Sequence, residues 1–211
     1  MMIDMLLHQP ALFVAWLLAI FYGITVHEFA HAWAATVQGD ETARLSGRLT
    51  LNPLAHIDLM GLLMLVVAGF GWGKPVPVNH NNLKNGKTSD NLVSLAGIAT
   101  NLVSVVIFGL VLKLFINFGS LGPDNLLLNF LFMLIMINLV LAIFNLIPIP
   151  PLDGSHVLFN ILPDKYNEFK FNLAKNGPFI LLLLILADNF LGVGIFSSIF
   201  NYFLGFIYRL F

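Results

Sequence analysis

The sequence predicts an all-α integral membrane protein: a polytopic helical bundle with a three-helix core, a short re-entrant or extended segment, and an additional C-terminal membrane helix or hairpin. Three observations carry that prediction. Of the 211 residues, 58% are hydrophobic and only 10% are charged, whereas soluble domains carry about 25% charged residues. The mean hydropathy is +0.88. Finally, the gaps between formal charges leave apolar runs long enough to cross a hydrocarbon core, which takes roughly 20 helical residues.

Taken in order, the first run covers residues 5–27, between Asp4 and Glu28. Residues 59–73, "LMGLLMLVVAGFGWG", are apolar but short and glycine-rich at their end, which suits a re-entrant or partly inserted segment. Residues 71–91 read as a Gly/Pro/Asn loop with short extended pieces, since Pro75 and Pro77 forbid helix there. A second long run occupies 91–112 and a third 125–152. Residues 163–177 mix lysines with Tyr166, Phe169, Phe171 and Leu173, a pattern equally suited to an interfacial helix and to a solvated connector. The last apolar region, about 178–208, is interrupted only by Asp188, which suggests two short pieces bending there. Asn117, Asn125 and Asn129 around the loop at 113–125 read as span boundaries.

Composition also excludes. Ten Lys plus Arg nearly balance eleven Asp plus Glu, so there is no nucleic-acid footprint. With no cysteine, disulfides and thiolate metal sites are ruled out. No basic residue precedes Arg44, so the first apolar run is expected to be retained structure rather than a cleaved leader. Basic residues gather in 39–90 and 153–177, while 113–125 has only Lys113. By the positive-inside rule the first two regions are cytoplasmic and the N-terminus is outside. We expect a multi-pass protein of a bacterial-type cell membrane.

Inside the first apolar stretch lies "ITVHEFAHAWAA", residues 24–35. On a helix, His27 and His31 stand one turn apart on one face, where two imidazoles can bind one Zn²⁺. Glu28, beside the first of them, can reach a water on that metal as general base. Ionisable groups inside a span are costly, and three on one helix face point to a functional site. A catalytic zinc takes three protein ligands and keeps one position open. Candidates for the third are His8, His56, Asp58, His80, Asp153 and His156. His56 and Asp58 could instead cap the short apolar segment after them. Asp153 follows Pro148, Pro150 and Pro151, which break the third span, and irregular backbone at membrane depth lines a cavity. Topology returns Asp153 to the face on which the first span ends, with His156 as runner-up.

This combination, HExxH in a membrane helix and "NLIPIPPLDG" (145–154) far downstream, resembles the site-2 protease family of intramembrane zinc metalloproteases. "GRLTLNPLAHID" (47–58), "WGKPVPVN" (72–79) and "LAGIATN" (95–101) extend the likeness to roughly residues 20–160. The resemblance implies a compact, core-only member without a PDZ domain, its single domain spanning 1–211. It implies one Zn²⁺ per chain held by His27, His31 and Asp153, Glu28 as catalytic base, and Asn145 near the substrate or oxyanion. The implied reaction is peptide-bond hydrolysis in or near transmembrane segments, with membrane-protein substrates and the lipid bilayer as partners. The "WGKPVPVN" stretch would pair edge-on with an extended substrate. Ile98 stands where relatives carry proline, so the role of Asn101 is left open, as are that of Asp188 and homo-oligomer formation. A metal-ion carrier or a zinc-binding scaffold remains the alternative.

Overall fold

The computed structural model describes residues 2–118, 122, 125–192, 194, 198–199 and 201–205. Among them the architecture is helical, with no strand; one antiparallel bridge joins Ile57 and Gly73. Among the described residues, four helices are long and apolar enough to cross a membrane. The chain divides into two compact units, residues 1–142 and 143–211.

In the first unit, α1 (Met2–His8) precedes α2 (Pro10–Val37). The expected first span is therefore split at its start and extended at its end. Pro10 opens α2 at a position that needs no intrahelical N–H donor. Beyond His31 the helix persists through "AWAATV", where Ala32, Ala34 and Ala35 are buried. At about 1.5 Å per residue, these 28 residues reach past a hydrocarbon core, so HExxH lies well inside the helix rather than at its exit.

A short α3 (Thr42–Leu45) and α4 (Leu59–Ala68) follow. Asp58 accepts from Gly61 N at 2.8 Å and caps α4, which ends on left-handed Gly69. The capping role raised for Asp58 is the one it takes. At 10 residues, α4 is too short to span, in line with a re-entrant segment. Then α5 (Lys87–Phe118) and α6 (Leu126–Asn145) complete the unit's long helices. Asn125 Oδ1 accepts from Leu127 N at the start of α6.

Helices α2, α5 and α6 form the three-helix core. Ala19, Leu131 and Leu134 are buried against Tyr22, Phe108, Val111 and Ile137, and Tyr22 meets Phe108 edge to face. Gly23 lets α2 and α6 approach closely, because a Cβ there would lie 2.8 Å from Leu141 Cδ1.

The second unit begins at Ile143, in the last turn of α6. Residues 146–152 turn through "LIPIPPL", with a cis Pro150–Pro151 bond, into α7 (Asp153–Ile161). Gly154 packs against the end of α6: a Cβ there would press on Leu146 O and lie 2.8 Å from Ile147 O. Next, α8 (Asn167–Leu191) is continuous, which corrects two expectations. After a short 3-10 turn at Asp164–Tyr166, residues 167–177 form the first turns of α8 rather than a separate segment, and the helix runs unbroken through Asp188. Pro178 is carried inside α8, as membrane helices tolerate. Gly177 beside it leaves room for Pro150, whose oxygen would be 2.7 Å from a Cβ. The helix ends at Gly192 with φ +62°. Whether residues up to 208 turn back as a hairpin lies partly outside the described residues.

Candidate metal centre

His27 and His31 face α5 from the middle of the bundle, 6% and 8% exposed. Their Nε2 atoms are 3.0 Å apart. What matters is where their protons are. His31 Nδ1 lies 2.8 Å from the backbone oxygen of Val93, an atom that only accepts, so Nδ1 must carry the hydrogen. His27 Nδ1 lies 2.6 Å from Asn101 Oδ1. The amide of Asn101 is oriented by its Nδ2, which donates to Gly23 O at 3.2 Å and to Asn138 Oδ1 at 2.8 Å. Its oxygen is therefore what faces His27, and that Nδ1 is protonated too.

In the neutral rings the two Nε2 atoms, 3.0 Å apart, are then both the acceptor nitrogens. Two acceptors so close repel each other unless a cation holds them together, and a hydrogen bond from the far ring nitrogen is the usual outer partner of a metal-binding histidine. The donor set fits zinc, which takes imidazole nitrogen readily. The cradle has no slack: a Cβ on Gly97 of α5 would sit 2.6 Å from both His27 Cε1 and His31 Nε2.

Glu28 is held by the backbone of residues 73–76. Its Oε2 accepts from Val76 N at 3.0 Å, and Gly73 lies alongside, 4.0 Å from Oε1 by its Cβ position. The 73–76 backbone that supplies this N–H is itself clamped. Arg48, 7% exposed, donates from Nη2 to Lys74 O at 2.6 Å and from Nη1 to Pro75 O at 3.0 Å. Lys74 N donates to His56 O at 2.8 Å. His56 is fully buried, and its Nε2 donates to Thr50 O at 2.8 Å. Its hydrogen bonds make it an anchor of this loop rather than a third metal ligand. Lys74 N–H, Lys74 O, Pro75 O and Val76 N–H are thus all engaged within the chain, and the last of them serves the glutamate.

The loop is braced a second time by Asp40, whose side chain is fully buried. Burial by itself would raise its pKa. Hydrogen bonds from Thr42 Oγ1, Asn79 N, Asn82 Nδ2 and Thr42 N outweigh that and hold the carboxyl below its ordinary value.

The remaining candidates fall elsewhere. His8 bonds Asp4 on the surface, and His80 bonds Asp90 at 2.8 Å. In the second unit Asp153 is the first residue of α7, Asn145 the last of α6, and His156 lies one turn into α7. Sequence reading missed Gly97, Arg48, Val76 and Asn138. Only Asn138 left a signal, as an amide in the apolar middle of a membrane-length helix.

Membrane-length helices carrying HExxH, with two imidazole acceptor nitrogens side by side and a neighbouring anchored glutamate, define the class of membrane-embedded zinc metallopeptidases. Comparison with known proteins gives the same answer at finer grain. The sequence model of Peptidase family M50 matches residues 121–186. The candidate zinc metalloprotease YwhC of Bacillus subtilis is 37% identical over 190 residues, covering 86% of this chain and 84% of its own. The candidate zinc metalloprotease Rip2 of Mycolicibacterium smegmatis is 32% identical over 197 residues, covering 89% of this chain and 71% of its own. The zinc metalloprotease MJ0392 of Methanocaldococcus jannaschii is 28% identical over 190 residues, 87% of this chain and 46% of its own length. No solved structure matches the chain significantly. The chain belongs to peptidase family M50. It is a multi-pass membrane protein and a zinc metalloprotease.

Proposed function

We propose that residues 1–211 act as one membrane-embedded protease domain with one zinc per chain, held by His27, His31 and Asp153, and with Glu28 as its general base. The observation that carries this reading is the close approach of the two acceptor Nε2 atoms, with both Nδ1 hydrogens committed to Asn101 and Val93. A pair of neutral imidazoles leaves the ion's charge uncompensated, and a carboxylate as third ligand supplies both charge and the remaining donor. Asp153 is the carboxylate that the downstream "LDG" provides.

Zinc in such a site supplies a Lewis acid and lowers the pKa of water towards about 7. The rest is done by the chain. Glu28, beside His27 and steadied by Val76 N–H, takes a proton from the attacking water and returns it to the departing amine. Asn145 donates a hydrogen bond to the oxygen that becomes negative as the carbonyl is attacked. Buried surroundings strengthen each of these interactions.

The substrate is a peptide bond in or near a transmembrane segment of another membrane protein, opened locally so that its carbonyl is released from helical hydrogen bonding. The active site faces the cytoplasmic side, where the basic residues of 39–90 and 153–177 gather. No observation favours a metal carrier or a non-catalytic scaffold. Replacing Glu28 with alanine separates the readings: zinc stays bound while cleavage of a transmembrane reporter in proteoliposomes stops. Undiminished cleavage by that variant would sink the mechanism, and zinc transport without cleavage would favour a carrier.

A further inference from the structure

We infer that Asn138 is a positioning residue for the zinc site, acting through Asn101 to fix which nitrogen of His27 faces the metal. This rests on the reading of His27 as a zinc ligand.

The relay runs across three helices and has one sense. On α6, Asn138 Nδ2 donates to Leu134 O, one turn back, at 2.7 Å. That bond turns Asn138 Oδ1 towards α5, where it accepts from Asn101 Nδ2 at 2.8 Å. The other hydrogen of Asn101 Nδ2 goes to Gly23 O of α2 at 3.2 Å. With both amide hydrogens used, Asn101 Oδ1 accepts from His27 Nδ1 at 2.6 Å. The tautomer of a histidine is set by the hydrogen bond that its other nitrogen makes, so Nε2 of His27 is the bare one.

Asn101 and Asn138 are both fully buried, and no backbone amide of the interior of these helices is available to substitute. A flip of either side-chain amide would set N–H against N–H and O against O, at positions shut off from solvent. The backbone bond from Asn138 to Leu134 O is thus the fixed end of the chain, and each later group inherits its orientation. Helix propensity offers no reason for asparagine at 138, since asparagine is a poor residue for a helix interior. Leucine would pack there without needing a partner. Asn138 also lies two turns before Asn145 on α6, so one helix supplies an outer support for the metal and a group for the oxyanion.

Outer partners of metal-binding histidines are worth about 10- to 100-fold in metal affinity. In the full-length protein in detergent, Asn138→Leu is expected to lower Zn²⁺ affinity by that factor, measured by competition with a chelator. Asn138→Asp keeps an acceptor for Asn101 and, when protonated, a donor to Leu134 O, so it restores affinity relative to Asn138→Leu. Nitrogen NMR of histidine-labelled, zinc-free protein reads the tautomer directly, with the His27 signal identified by its loss in His27→Gln. Wild type shows Nδ1–H at His27, and Asn138→Leu shows a mixture or Nε2–H. A well-folded Asn138→Leu protein with wild-type Zn²⁺ affinity and an unchanged tautomer would overturn the inference. Should wild type itself bind no zinc, the metal reading fails, while the tautomer comparison still decides whether the relay exists.

Discussion

At Gly97 the place of a side chain is already occupied by the two imidazoles. A methyl group there would meet His27 Cε1 and His31 Nε2 at 2.6 Å, well inside van der Waals contact. Alanine in a helix interior is otherwise favoured over glycine by about 0.5–1 kcal/mol, so Gly97→Ala should leave α5 intact. The same change should cost at least about tenfold in zinc affinity, the order seen when a ligand's support is disturbed. Titration of the purified variant with zinc checks this. Asp40 provides a test outside the membrane. Its carboxyl is held below the ordinary value of 3.8, so its stabilising contribution is complete above that value and is lost as pH falls through the lower folded value. The thermal midpoint in detergent should therefore drop on acidification below about pH 4, and Asp40→Asn should flatten that acid limb. Asp40→Asn should also cost about 1–3 kcal/mol at neutral pH, from buried donors left without their acceptor. At this scale the motif residues were legible because His27, Glu28 and His31 are ionisable groups in an apolar run. Gly97 was not, since the need for a missing side chain shows only when two helices are brought together.

Among the elements, the loop between α4 and α5 has the most to explain, for it contains no strand and yet delivers Val76 N–H to Glu28. Arg48 holds it by two hydrogen bonds to backbone carbonyls, each of the charged kind that contributes about 1.5–3 kcal/mol. Arg48→Ala should leave zinc content unchanged, lower cleavage activity, and open residues 71–79 to limited proteolysis. An Arg48→Ala protein with wild-type activity and no new nicking would remove the loop from the account. The sequence marked this segment as non-helical through Pro75 and Pro77, but nothing in it pairs Arg48 with carbonyls 26 and 27 positions away. Helix ends were read from charge gaps, and this misplaced them where apolar run and helix differ. Continuation of α2 to Val37 follows from its alanines, good helix formers that pack closely. The passage of α8 through Pro178 reflects how well a membrane helix absorbs a lost hydrogen bond.

For the whole molecule, the helical membrane class and the first three long helices followed from composition and run length, because the bilayer sets a length that the sequence must meet. The site was half legible. HExxH is local, so its geometry is dictated by one helix, whereas the Asn101–Asn138 pairing joins residues 37 apart and exists only once α5 and α6 pack. Everything proposed for this site depends on a single zinc held by two histidines of α2 and the aspartate of "LDG". The most direct measurement of it is elemental analysis of metal per chain, on wild type beside His27→Ala and Asp153→Ala, all purified and shown to be folded. We predict one zinc per wild-type chain and a large loss in both variants. Full zinc occupancy in folded His27→Ala or folded Asp153→Ala would contradict it.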